Sequence, residues 1–282
     1  MNNPQQPLEY DAVLGGENQI SSSHDLKMTT ERAVNLLKAG TAGIKAWNLF
    51  RQQETYLPSL EGVDLSGINL TGANLQGVNL KNSKLVKANL TSVNLINADL
   101  QESDLIQATL TNINISNTNL QGAILSNANL QGAILSNANF SNANLQSANL
   151  SNANFSNANL QSANLSNANF INSNFTKANL AKANLTEGVG YGNNSSCNFK
   201  EANFSDAIVI KANLQSCILE SANLTETKFD NANLYGANLK NAIIANTSFL
   251  NTNLEYADVT GTKFFFAHLN KQTLTNSSTK GI

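Results

Sequence analysis

Leucine or phenylalanine returns at every fifth position for about two hundred residues, which marks a repeat architecture. A small residue stands two places before it and a polar one, most often asparagine, one place before. The run starts at Val63-Asp64-Leu65 and is densest in units such as Ala148-Asn149-Leu150-Ser151-Asn152. This period suits neither common element. On an α-helix five residues turn about 500°, so the leucines would spread around every face. On an unbroken strand side chains alternate, so residues five apart point to opposite faces. The pattern is satisfied if each repeat has three extended residues and a two-residue corner. With the large residue at i, positions i−2 and i then face inward and i−1 faces outward.

Four corners of roughly 90° close a square coil, and residues one coil apart stack at strand spacing, ~4.8 Å. The interior takes one small and one large side chain per face, which fills a narrow square without voids. Inward positions run from Leu65 to Leu185 and again from Phe199 to Leu269. That predicts about ten coils in a stack roughly 50 Å long. Departures keep the pattern: Ile115, Val209, Ile244 and Val259 are apolar at i, and Val63, Ile68, Ser83, Thr118 and Thr227 are small or β-branched at i−2.

Residues 61–274 resemble the pentapeptide-repeat family, whose consensus is Ala-(Asp/Asn)-Leu-X-X. The resemblance implies a mainly β fold, a right-handed quadrilateral parallel β-helix; periodicity alone does not give the handedness. Ala46-Trp47-Asn48-Leu49-Phe50-Arg51 resembles the capping helix found ahead of such repeats, and Asp11-Ala12-Val13-Leu14-Gly15-Gly16 resembles segments of cyanobacterial members.

The expected organisation is a leader at 1–28, a helical cap at 29–60, the β-helix at 61–274 and a tail at 275–282. In the cap, Thr29-Thr30-Glu31 opens a first helix with Val34, Leu36 and Leu37 as apolar positions, and Gly40 ends it. Thr41 to Gln53 reads as a second helix carrying Ile44, Trp47, Leu49 and Phe50. An open solenoid end exposes unpaired strand edges and core leucines, so such a cover is needed.

The five-residue register breaks between Leu185 and Phe199. The glycine-rich stretch 186–196 is expected to leave the coil as a loop presenting Val189, Tyr191 and Asn193 to a partner, the alternative being a tolerated insertion. At the far end Phe264 is inward by phase, whereas Phe265 and Phe266 are not. They either cap the last coil or form a face for a second copy, leaving a monomer or a homodimer through the C-terminal coil. Within the middle tract, Ser141 to Phe155 recurs residue for residue at Ser156 to Phe170. Interchangeable coils cannot each hold a distinct site, so this stretch reads as a spacer or a uniform surface.

Net charge is −2, and no charged residue lies between Asp104 and Lys177. Neutral polar faces neither attract nucleic acid by counterion release nor imitate its phosphates, so no nucleic-acid partner is expected. The N-terminus has neither a basic start nor an apolar run, and no apolar stretch reaches membrane length, which points to a cytoplasmic protein. Triplets such as Asn69-Leu70-Thr71 are by-products of the repeat rather than glycosylation sites. Cys197 and Cys217 both occupy i−2 positions one coil apart. They read as a disulfide or half a metal site, or more simply as small residues replacing alanine.

Reactive groups are sparse. His24 in the leader and His268 at the far end give no metal-ligand spacing. No glycine-rich phosphate loop precedes a helix, and the serines lie on corners without a base nearby. Asp99 and Asp258 sit where Asp replaces Asn in the consensus, which makes them structural. The sequence therefore reads as a non-enzymatic interaction scaffold, without cofactor or metal, contacting another protein in a regulatory role. A second reading, implied by the resemblance, is a DNA mimic that binds a type II topoisomerase; the neutral surface opposes it. A third, recognition of a regular lattice, needs a sustained threonine row that this chain lacks.

Overall fold

The computed structural model describes residues 28–53, 56–192 and 194–269. The leader up to residue 27, Asn193 and the tail 275–282 lie outside the described residues. Two helices open the described chain, α1 (Thr30–Lys38) and α2 (Gly40–Gln53). Thr29 caps α1 by accepting the Arg32 amide at 3.2 Å. Gly40, at φ +68°, turns the chain between the helices. α1 buries Ala33, Leu36 and Leu37; α2 buries Gly43, Ile44, Ala46, Trp47 and Phe50. The helices cross closely at Gly43, where a Cβ would come within 1.9 Å of the Leu36 carbonyl oxygen. Val34 and Leu49 are only half-buried.

Every repeat then follows one plan. The amide of the large residue donates to a carbonyl one coil on, as Leu65 to Lys84 at 2.7 Å, and the next coil's i−1 amide donates back, as Lys84 to Val63 at 2.8 Å. The corner closes on itself, as Ala88 N–H to the Leu85 carbonyl at 3.0 Å. The second corner residue takes positive φ, as at Asn127 (59°), Asn137 (59°) and Asn152 (59°). Asparagine tolerates that left-handed conformation better than most side chains, hence its frequency there. Parallel pairing links residues twenty apart in four columns, from Asp64↔Lys84 to Asn238↔Asp258. Near the C-terminus the same pairing lengthens into short strands: β3 (Ile243–Ala245) beside β5 (Lys263–Phe265), and β4 (Ser248–Phe249) beside β6 (His268–Leu269).

The core is one continuous shaft of inward residues, almost all fully buried. It begins one repeat before the expected first coil, at Leu60, whose amide donates to Asn79 at 2.8 Å. Phenylalanines in one column stack face on face: Phe155 on Phe175 at 4.7 Å and Phe175 on Phe199 at 4.8 Å. Inward hydroxyls find carbonyls, as Thr118 Oγ1 to Leu95 at 2.7 Å and Thr227 Oγ1 to Phe204 at 2.8 Å, which meets the requirement of a buried polar group.

The break in register is smaller than the sequence suggests. Thr186 to Gly190 is a regular repeat: Val189 pairs with Asn169 below and Asn213 above. Only Tyr191 to Ser196 leaves the coil, as a hairpin of β1 (Tyr191–Gly192) and β2 (Ser195–Ser196). Across it the column spacing becomes 24 residues, as in Asn179↔Asn203, before returning to twenty. Two of the glycines taken for loop are core positions. A Cβ at Gly190 would lie 2.7 Å from Phe170 Cε2 and 2.6 Å from Cys197 Sγ; one at Gly188 would lie 2.6 Å from Phe170 Cε1. The Phe170 ring, one coil below, fills the space that a leucine at 190 would take.

Candidate interaction surfaces

The helical end is sealed by bonds that stand in for a missing coil. In an interior coil the i−1 amide and carbonyl pair with the coil below; the first coil has none. Asn48 Oδ1 accepts the Asn74 amide, and Trp47 Nε1 donates to the Asn74 carbonyl, both at 2.8 Å. Asn48 Nδ2 donates to Gly72 and Arg51 Nη2 to Gln76, also at 2.8 Å. One helix face thus satisfies a sheet edge that would otherwise template pairing with another chain. Arg51 lies 5.9 Å over the Trp47 ring, and burial lowers its pKa from the usual value. Trp47 is therefore structural.

The outer faces are bound up with themselves. On one face Asp99, Asn119, Asn139, Asn159, Asn179, Asn203 and Asn223 form a ladder in which each Nδ2 donates to the Oδ1 one coil below at 3.0–3.2 Å. Each such Oδ1 also accepts the amide two residues on, as Ser141 to Asn139 at 3.1 Å. Ion pairs likewise join stacked coils: Lys81–Asp99 at 3.2 Å, Lys200–Glu220 at 3.1 Å and Lys211–Glu187 at 3.4 Å. Asp64 and Asp258 have lowered pKa values, chiefly through the hydroxyls and then the amides of Ser66 and Thr260. These aspartates anchor corners, as their neighbours' asparagines do.

Cys197 and Cys217 are free and fully buried. Burial, and then the neighbouring Cys217 thiol, raise the Cys197 pKa well above normal. Cys217 Sγ donates to the Gly190 carbonyl at 3.5 Å. They are unbridged and fill alanine positions. Among the described residues no group of three His, Cys, Asp or Glu could hold a metal ion, and no helix is long and apolar enough to cross a membrane.

Two places differ from this self-satisfied surface. The first is the hairpin. Its base closes with Cys197 N–H to the Gly190 carbonyl at 2.9 Å. Tyr191 OH reaches Asn194 Oδ1 at 3.4 Å, and Gly192 lies against Ile171, where a Cβ would meet Cδ1 at 2.7 Å. Tyr191 is half-buried here; Val189 belongs to the ladder below and is no loop residue; Asn193 lies outside the described residues. The second is the C-terminal coil. Phe265 and Phe266 are 54% and 85% exposed and do not fold over the shaft. Phe266 holds φ +53°, a conformation rare for an aromatic side chain. Ile243 and Leu250 one coil below are exposed too, Leu269 is 38% exposed, and Phe264 is only partly buried. Together these make an apolar end, which sequence phase located at Phe265 and Phe266 but without Ile243 and Leu250.

Comparison with known proteins agrees with the geometry. The family described as pentapeptide repeats matches in eight copies, spanning residues 59–187 and 197–270. A comparison with curated proteins found no match. Among solved structures, HetL of the cyanobacterium Nostoc sp. strain PCC 7120, a pentapeptide repeat protein involved in heterocyst differentiation regulation, is 27% identical. That alignment covers 80% of this chain and 94% of HetL, with a TM-score of 0.42. A trypsin-treated form of QnrB1, a plasmid-mediated fluoroquinolone resistance protein, is 17% identical over 60% of this chain and 88% of its own, with a TM-score of 0.53. Rfr23, from the cyanobacterium Cyanothece 51142, is 31% identical over 50% of this chain and 91% of its own, with a TM-score of 0.18.

Proposed function

This chain belongs to the pentapeptide-repeat family, and from that premise we propose that it is a non-enzymatic scaffold that binds another protein in a regulatory role, in the cytoplasm. One observation carries the reading. The coil is interrupted once among the described residues, and the interruption is held out as a hairpin on a rigid stack whose other corners bond to one another. Rigid scaffolds with a displayed loop are suited to recognition, because little order is lost on binding. The exposed apolar end at Phe265 and Phe266 supplies a second contact, to the partner or to another copy of the chain. The neutral faces between Asp104 and Lys177 leave little to hold nucleic acid.

The test uses a pull-down from the source organism's extract with the full-length protein and two variants. In the first, residues 192–195 are removed, which places Tyr191 and Ser196 as an ordinary two-residue corner and restores the five-residue period. In the second, Phe265 and Phe266 become Ser and Asn. The expected result is a protein retained by the full-length chain and lost with one variant. Equal retention by both would refute these surfaces. Light scattering of the second variant against the parent reads whether the apolar end pairs two copies.

A further inference from the structure

Three of the chain's five tyrosines share one edge of the stack. Pairing of Val189 with Asn213, Asn213 with Asn233 and Asn233 with Asn253 puts Gly190, Leu214, Leu234 and Leu254 in one column. The corner after that column carries Tyr191, then Tyr235, then Tyr256. Tyr235 and Tyr256 are 36% and 54% exposed, and their rings meet edge to face at 5.2 Å. Gly236, beside Tyr235, leaves the space next to the pair open: a Cβ there would meet only Ser216 Oγ, at 3.6 Å. Over this height the edge holds a single charged residue, Glu255. The other three edges carry Lys200 and Glu220, Asp206 and Glu226, or Lys211 and Asp230.

A tyrosine-lined edge with little charge is suited to a polyproline II segment. Its proline rings lie against aromatic faces, and its backbone carbonyls, free of internal bonds, accept from phenol hydroxyls. The spacing agrees. Prolines three apart on such a helix are separated by ~9.3 Å, and two coils of this stack, the interval from Tyr191 to Tyr235, by ~9.6 Å. The sequence holds one segment of this kind, Pro4-Gln5-Gln6-Pro7, followed by Leu8, and it contains two of the three prolines. Reach is no obstacle. Met28 is buried at the helical end, and the twenty residues from Leu8 to Met28 can span ~60 Å at 3.3 Å each. Tyr235 stands about eight coils along, ~40 Å.

We infer that the Pro4–Pro7 segment docks as a polyproline II helix on the edge formed by Tyr191, Tyr235 and Tyr256 of the same chain. Tethering gives an effective concentration on the order of millimolar, so a contact too weak to hold separate molecules is filled within one. The inference does not require a protein partner at the hairpin.

Pulsed dipolar spectroscopy of the full-length chain tests it. Spin labels go on Asn2→Cys and on Ser221→Cys, an exposed position on the neighbouring edge, diluted with unlabelled protein so that only pairs within one chain are read. The parent, whose cysteines are buried, serves as the labelling blank. The expected result is a narrow distance distribution that broadens when Pro4 and Pro7 both become Ala, and equally when Tyr235 and Tyr256 both become Ser. A distribution unchanged by either pair overturns the inference. So does a change with the prolines alone, which would seat the segment elsewhere.

Discussion

Restoring the consensus at one inward position should destabilise the protein. Gly190 occupies a slot that is leucine or phenylalanine in nearly every other repeat, so Gly190→Leu looks like a repair. The geometry says otherwise. Its first added carbon would lie 2.6 Å from Cys197 Sγ, 2.7 Å from Phe170 Cε2 and 3.1 Å from Leu214 Cδ2, inside van der Waals contact on three sides. Phe170 is fully buried and locked against Phe175 and Phe199 at 6.0 and 5.9 Å, so it has nowhere to retreat. Overpacking of this kind costs ~1–3 kcal/mol, and three close contacts place Gly190→Leu toward the upper end. At 2–4 °C per kcal/mol for a chain of this size, Tm should fall by roughly 4–12 °C. Phe170→Ala alone should cost ~3–5 kcal/mol through the cavity it leaves. Combined, the two changes should compensate, with the leucine refilling the space of the lost ring and a coupling of at least ~1 kcal/mol between them. Guanidinium unfolding followed by far-UV circular dichroism, with Trp47 fluorescence reporting the helical end separately, measures all four corners of the cycle. Strict additivity, or a Gly190→Leu variant as stable as the parent, would refute the claim that Phe170 fills this slot.

Leu150→Ala should cost ~2–5 kcal/mol and Asn152→Ser under ~1 kcal/mol, because Ser147 and Ser162 already hold the same corner conformation at φ 58° and 59°; similar melting shifts for the two would break the inward and outward assignment. Asn48→Leu strips partners from the Asn74 amide and the Gly72 carbonyl. It should cost ~1–3 kcal/mol and speed hydrogen exchange in residues 60–79 ahead of later coils. Cys197 and Cys217 should resist thiol reagents until the protein is unfolded. The raised Cys197 pKa keeps the folded thiol protonated where the unfolded one has ionised, so its contribution is complete below pH 9.0, the ordinary value, and is lost as pH rises above it. Cys197→Ala should remove that part of the slope in a pH series of melts. In a supercoiling assay with a bacterial type II topoisomerase, micromolar protein should give no inhibition; inhibition would revive the DNA-mimic reading despite the uncharged middle coils.

The coil itself was legible from residue spacing, because a five-residue period leaves one geometric solution and the i−2, i−1 and i positions follow from it. The roles of Trp47 as core and of the cysteines as alanine substitutes were legible for the same reason. Gly188 and Gly190 were not, since glycine carries no hydrophobic signal and normally punctuates a loop. The clue was Phe170 twenty residues before Gly190, one large ring paired with an empty slot. The functions of Asn48 and Arg51 were hidden, because a side chain that replaces a missing strand shows no pattern along the chain. The exposed end was half visible: Phe265 and Phe266 fall out of phase, but Ile243 and Leu250 join them only when the columns are stacked.

The repetition between Ser141 and Phe170 makes the middle of the molecule adjustable in length. Inserting or removing twenty residues there would shift the hairpin along the axis by about 4.8 Å and keep its bearing relative to the α2 end, whereas five residues would swing it by roughly a quarter turn. Distance and azimuth between the two ends are thus set by separate, countable steps. A lineage could tune one without touching the other simply by copying or losing near-identical stretches of sequence.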